Sequence, residues 1–108
     1  MNITTSHDGD RVTRLALTGD LDMATAVGLD DAVAAALTAN RPNQLVIDVG
    51  GLDFCDSSGI HALMRARDRA QLWAAGFVVT NPGGITRRTL EISGLLDVLT
   101  TVSGTPET

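Results

Sequence analysis

Apolar and polar positions along the chain change period several times, and Gly, Pro, Asn and Asp mark the changes. Asn2 to Ser6 reads as a short edge strand that runs into a hairpin turn at Asp8-Gly9-Asp10. Arg11 to Thr18 alternates, with Val12, Leu15 and Leu17 among polar neighbours, and predicts a mixed strand that Gly19 ends. Thr25 to Ala39 holds no Pro and only Gly28, and Ala26, Leu29, Val33, Ala36 and Leu37 recur at helical spacing. The helix this predicts closes at Asn40-Arg41-Pro42-Asn43. Gln44 to Val49 is an apolar, β-branched run of strand length. Without clean alternation it predicts a strand buried on both faces, ended by Gly50-Gly51.

A loop then leads to Asp56-Ser57-Ser58-Gly59, where a second helix starts. It runs to Ala75 with Ile60, Leu63, Met64, Ala70 and Ala74 inward and Arg67 interrupting the stripe, and Gly76 stops it. Phe77 to Thr80 is the next strand and Asn81-Pro82-Gly83-Gly84 a loop. Ile85 to Ser93 predicts a short third helix ended by Gly94, with Leu90 off the Ile85–Thr89–Ile92 stripe. Leu95 to Val102 suits a last helix or a last strand, and Ser103 to Thr108 reads as a disordered tail. Strands and helices alternating at this spacing predict an α/β domain with a central, mostly parallel (mixed) β-sheet packed by α-helices.

Composition narrows the chemistry. With 108 residues and 44% apolar content, the chain fits one domain that folds without a disulfide or a metal. A single Cys55 excludes a disulfide framework and a Cys-based zinc site. His7 and His61 are far apart in sequence, so neither a metal nor a cofactor is expected. All eight basic residues are Arg, which removes Schiff-base chemistry, a lysine nucleophile and a Walker-type phosphate lysine. A net charge of −5 argues against a direct nucleic-acid or anionic-membrane binder. No apolar run approaches the ~20 residues of a membrane span. Met1 to Asp8 has neither the basic nor the apolar region of a signal peptide, so a cytoplasmic domain is expected.

Functional groups of an open α/β sheet gather at the carboxyl ends of its strands. Two segments qualify: Gly19-Asp20-Leu21-Asp22, and Asp53 to Gly59. Asp56, Ser57 and Ser58 are first of all helix-capping material. They also hold a hydroxyl at the positive end of a helix, where a phosphate meets free N–H groups and the macrodipole. Such a position can gain two negative charges without unfolding the domain, which a reusable switch requires. Asp22 suits an N-cap of the first helix, while Asp20 reads as surface loop. A hydrolase would need Ser57 or Ser58 as nucleophile with His61 as base one turn later. The G-x-S-x-G elbow is absent, and a base on the same helical turn rarely reaches the hydroxyl.

Three segments then carry a resemblance. Gly19-Asp20-Leu21-Asp22-Met23-Ala24-Thr25-Ala26, Leu52-Asp53-Phe54-Cys55-Asp56-Ser57-Ser58-Gly59-Ile60 and Arg88-Thr89-Leu90-Glu91-Ile92-Ser93-Gly94-Leu95 occur in that order. They resemble the motifs of the STAS-domain anti-sigma-factor antagonist family. The resemblance implies a single STAS domain over residues 1–102 that acts as a partner switch rather than an enzyme. In that family the unphosphorylated antagonist binds an anti-sigma factor that is also a serine kinase, and the sigma factor is freed. The kinase phosphorylates the first hydroxyl after the motif Asp, here Ser57 with Ser58 as the alternative, and a PP2C-type phosphatase restores the binding form. Asp22, Asp56, Ser57, Ser58, Gly59 and His61 are the partner-binding residues this implies. His61 stands where the family usually has a small residue, and reads as a half-exposed position bordering the partner surface. Cys55 replaces a usually apolar residue and reads as a buried inert thiol, with redox sensing as the other option. Trp73 reads as packing at the end of its helix. The fold also serves as a sensory, scaffold or transporter-regulating module, and the Asp56-Ser57 pair favours the switch.

Overall fold

The structure, a computed structural model, describes residues 1–9 and 11–102; Asp10 and the tail 103–108 lie outside the described residues. Four strands, β1 (Asn2–His7), β2 (Val12–Leu21), β3 (Gln44–Cys55) and β4 (Gly76–Thr80), form one sheet in the order β1-β2-β3-β4. β1 and β2 are antiparallel, whereas β3 and β4 each join the sheet in parallel. Parallel neighbours need a crossover. Here α1 (Ala26–Asn40) leads from β2 to β3 and α2 (Ser57–Leu72) from β3 to β4. α3 (Gly84–Ser93) and α4 (Leu96–Thr100) complete the domain, so the undecided segment 95–102 is helical at its centre.

The strand registers decide which side chains share a face. Leu15 pairs with Ile47 and Ile47 with Val79, and Leu45 pairs with Phe77, so these five point the same way. They join one buried core with Leu29, Val33 and Leu37 of α1, Leu63 of α2, Leu90 of α3 and Leu99 of α4. Each such side chain contributes about 1.5–3 kcal/mol by leaving water. The five residues of the α1 stripe are all buried, as their spacing predicts. On the other face Val46 and Val78 are buried as well, outside that core. Arg14 pairs in register with Val46 and reaches the carboxylates of Asp8 and Asp48. The central run 45–47 is thus buried on both sides, as its pattern predicts.

Several boundaries depart from the sequence pattern for identifiable reasons. Gly19 does not end β2. It sits at φ +91° where the register with β3 shifts, a bulge, and the strand continues to Leu21. Asp20 is therefore a strand residue and not a loop residue. Gly50-Gly51 does not end β3 either. A Cβ on Gly51 would stand 2.7 Å from the Thr18 methyl and 2.8 Å from the Leu17 carbonyl oxygen, so glycine keeps two strands close. In α3 the buried residues are Thr86 and Leu90, while Ile85 and Ile92 are exposed. The inward side follows Leu90 and not the Ile85–Thr89–Ile92 stripe.

The end of α2 also differs. The helix stops at Leu72, Ala74 is exposed in the left-handed region at φ +56°, and Gly76 already pairs with Gln44. The Ala75 N–H closes the turn on the Ala70 carbonyl at 2.9 Å. An L-residue held left-handed costs roughly 1–2 kcal/mol that glycine does not pay. Ala74→Gly is therefore expected to raise stability by about 1 kcal/mol, seen as a higher urea midpoint at unchanged slope. A midpoint that stays or falls contradicts this reading of the turn.

Candidate functional site

The glycine-permitted extensions of β2 and β3 end together, because Leu21 pairs with Cys55. The Asp22 turn and the start of α2 thus leave the sheet side by side, tied by the Asp56 N–H donating to the Leu21 carbonyl at 3.3 Å. Asp56 has extended backbone, and its Oδ1 accepts the Gly59 N–H at 3.1 Å. It is the N-cap of α2. Ser57 is then the first helical residue, exposed and with no hydrogen bond from its hydroxyl to any described residue, whereas Ser58 is half-buried. Because Asp56 does the capping, the Ser57 hydroxyl is left free at the end of the helix where backbone N–H groups point outward.

Gly59 locks this start in place. A Cβ there would lie 2.7 Å from Cys55 Sγ and 2.8 Å from the Leu21 carbonyl oxygen. Asp22 is organised differently from the N-cap its position suggests. The N-cap of α1 is Thr25. Asp22 Oδ1 instead accepts the Ala24 and Thr25 N–H groups at 3.0 and 3.1 Å and shapes the turn before the helix. The Thr25 hydroxyl accepts the Asp22 N–H at 2.9 Å and donates to the Asp20 carbonyl at 2.9 Å, closing the turn.

Three exposed apolar residues accompany these polar groups, and the sequence reading passed over them. Met23 is 78% exposed, Val27 one helical turn later 63%, and Phe54, opposite Asp20 at the end of β3, 42%. Their signal was available: Met23 follows Asp22 directly and Phe54 stands two residues before Asp56. Scattered single apolar residues on a surface mean little, but these three stand in the segments that carry Asp22 and Asp56 and are candidates for a contact surface. His61 is exposed on α2 one turn after Ser57. Trp73 sits at the end of α2, partly exposed, under the Arg41 guanidinium at 5.5 Å.

Cys55 is buried, and burial first, then the nearby Asp56 charge, pushes its thiol up to about 11. The thiolate is the reactive form, so this sulfur is inert at neutral pH. Iodoacetamide at pH 8 is expected to leave Cys55 unmodified in the folded protein and to label it in urea; rapid labelling of the folded form contradicts its burial. Stability is also expected to fall as pH rises from 9 toward 11, because the unfolded chain ionises this thiol first.

Residues 4–101 match the family model described as "Mlab, STAS domain". Anti-sigma-F factor antagonist RsfB of Mycobacterium tuberculosis is 31% identical over 91 residues, covering 84% of this chain and 73% of that protein. The crystal structure of an anti-sigma factor antagonist from Mycobacterium paratuberculosis is similar at a TM-score of 0.74 and 33% identity, over 92% of this chain and 83% of that one. The anti-sigma factor antagonist SpoIIAA in its unphosphorylated form shares the fold at a TM-score of 0.77 and 18% identity, over 93% of this chain and 86% of that one.

Proposed function

We propose, from the premise that this chain belongs to the STAS-domain family, that it is an anti-sigma-factor antagonist switched by phosphorylation of Ser57. The unmodified domain binds an anti-sigma factor that is also a serine kinase, and the sigma factor is released. The docking face joins Ser57 and the Asp22 turn to the exposed Met23, Val27 and Phe54. Covering that apolar surface removes it from water and favours association. Ser58 and His61 border the face, Asp56 caps the helix that presents Ser57, and Gly59 holds that helix against the Asp22 turn.

Phosphorylation adds about −1.5 to −2 charges directly beside the Asp56 carboxylate. The domain tolerates this, since the Ser57 hydroxyl is exposed, has no bond to a described residue to lose, and sits at a helix N-terminus that favours anions. The interface does not, because burying an unpaired dianion costs several kcal/mol. A PP2C-type phosphatase restores the binding form. This reading asks for no catalysis, cofactor or nucleic-acid contact from the chain itself, and its partners put it in the cytoplasm. No helix among the described residues is long and apolar enough to cross a membrane.

The observation that carries the reading is the exposed, unbonded Ser57 hydroxyl next to a cap already made by Asp56. Incubation with candidate anti-sigma kinases and ATP, followed by intact mass, tests it. One phosphate is expected on the wild type and on Ser58→Ala, and none on Ser57→Ala. Phosphate on Ser57→Ala overturns the site. No phosphate and no complex with any anti-sigma factor overturns the function and favours a scaffold or transporter-regulating role of the same fold.

A further inference from the structure

The two edges of the sheet are treated differently. β4, at one edge, is five residues long, four of them buried, with α2 and α4 packed beside it. β1, at the other edge, is exposed along its length except for the half-buried Ile3. It pairs with β2 in unbroken register from Asn2–Thr18 to His7–Thr13, with no bulge. Alternate residues of β1 therefore turn their N–H and C=O groups outward, where no strand among the described residues receives them. Natural edges are blunted by charged residues, by Pro, by bulges or by shortness. Asn2-Ile3-Thr4-Thr5-Ser6-His7 has none of these devices, in a chain that is 19% charged. Beside this edge an open groove of about 230 Å³ runs between β1 and α1, lined by Thr5, Ala32, Ala35, Ala36, Ala39 and Asn40. Its walls are uncharged too, and its alanines leave the α1 backbone open to close approach.

We infer that β1 is a homodimer edge: β1 of a second copy adds to it antiparallel and joins two four-stranded sheets into one of eight strands. Residues directly opposite each other in antiparallel strands point to the same face. A two-fold axis normal to the sheet therefore passes through Thr4 or through Thr5. The first register sets Ile3 opposite Thr5 of the other copy, and the second sets Thr4 opposite Ser6. Both give β-branched or hydroxyl cross-strand pairs, which strands favour, and neither brings like charges together. The same axis keeps both helical layers on one side of the joined sheet. α1 of each copy then runs antiparallel to the other across the alanine-lined grooves. A second copy fits better than a foreign strand, because it fills the strand edge and the groove of both molecules at once. A strip ~20 Å long and two layers deep buries on the order of 1,000 Å² in total, near the lower bound for a specific interface. β2 lies between this edge and β3, so Ser57 stays exposed in the dimer.

Sedimentation velocity on the whole chain, from about 1 to 200 µM, tests this. The expected mass rises with concentration from 11.3 kDa to twice that value. Thr5→Lys, at an exposed position that leaves the monomer core untouched, is expected to stay monomeric at every concentration with an unchanged Tm. Under mild oxidation, Thr4→Cys or Thr5→Cys is expected to give a disulfide-linked dimer, and Leu72→Cys, 86% exposed at the end of α2, is not. The buried Cys55 leaves that readout clean. A wild type that is monomeric at the highest concentration overturns the inference. So does a dimer that survives Thr5→Lys, or cross-linking at Leu72→Cys as fast as at both β1 positions.

Discussion

Gly59→Ala is expected to destabilise the domain by roughly 3 kcal/mol, the upper part of the usual range for overpacking. The added methyl meets Cys55 Sγ at 2.7 Å, the Leu21 carbonyl oxygen at 2.8 Å and Leu21 Cγ at 2.9 Å, two of them on the fully buried Leu21. One of those atoms is backbone in a sheet strand, so the helix start must move instead. For a domain of this size the loss lowers Tm by more than about 10 °C. The same shift separates Ser57 from the Asp22 turn, so partner binding falls with stability. Gly28→Ala is the matched control. Its methyl meets nothing within 4 Å, and replacing this glycine in the first turn of α1 is expected to add about 0.5 kcal/mol. A Gly59→Ala variant as stable as the wild type in thermal melts contradicts the close approach described for the site.

Ser57→Asp is expected to weaken the complex with the anti-sigma factor by roughly 30-fold, about 2 kcal/mol, with little change in Tm. The sign follows from two different environments for one charge. In the free domain a carboxylate at the first position of α2 faces water and the positive end of the helix, which is neutral to slightly stabilising. In the complex it is desolvated beside Asp56, so the loss belongs to the interface. Ser57→Ala, which keeps the surface neutral, is expected to bind close to wild type. Calorimetric titration separates the cases, and equal affinities for Ser57→Asp and wild type contradict the electrostatic switch.

The parts of the fold legible in the sequence were those set by hydrophobic periodicity. The α1 stripe from Ala26 to Leu37 and the central run 45–47 are where the pattern predicts, because nothing but burial determines them. The errors sit at residues whose role depends on a distant neighbour. Gly50-Gly51 looks like a terminator until Thr18 and the Leu17 carbonyl are brought against Gly51 by the parallel pairing. Gly19 looks the same until the β2–β3 register shift turns it into a bulge. Gly76 places the end of α2 too late, because the helix stops at Leu72 and an alanine takes the left-handed position. Locally the polar site was legible only as capping material at Asp56, Ser57 and Ser58; the structure gives the cap to Asp56 and leaves Ser57 exposed. The N-cap expected at Asp22 lies three residues on at Thr25, whose hydroxyl closes the turn on the Asp22 N–H and the Asp20 carbonyl, contacts that no local pattern announces. Met23, Val27 and Phe54 were missed because exposure is a tertiary property that their apolar character conceals.

The central claim is that one phosphate on Ser57 dissolves the complex and leaves the fold intact. The complex of this chain with the proposed anti-sigma kinase, isolated without nucleotide and then given ATP, tests it most directly. Native mass spectrometry is expected to show the complex dissociating as the free chain gains one phosphate. The phosphorylated chain should keep the circular dichroism and melting temperature of the unmodified one, and the Ser57→Ala complex should persist. A complex that survives stoichiometric phosphorylation of Ser57, or one that ATP dissolves equally well in Ser57→Ala, contradicts the account.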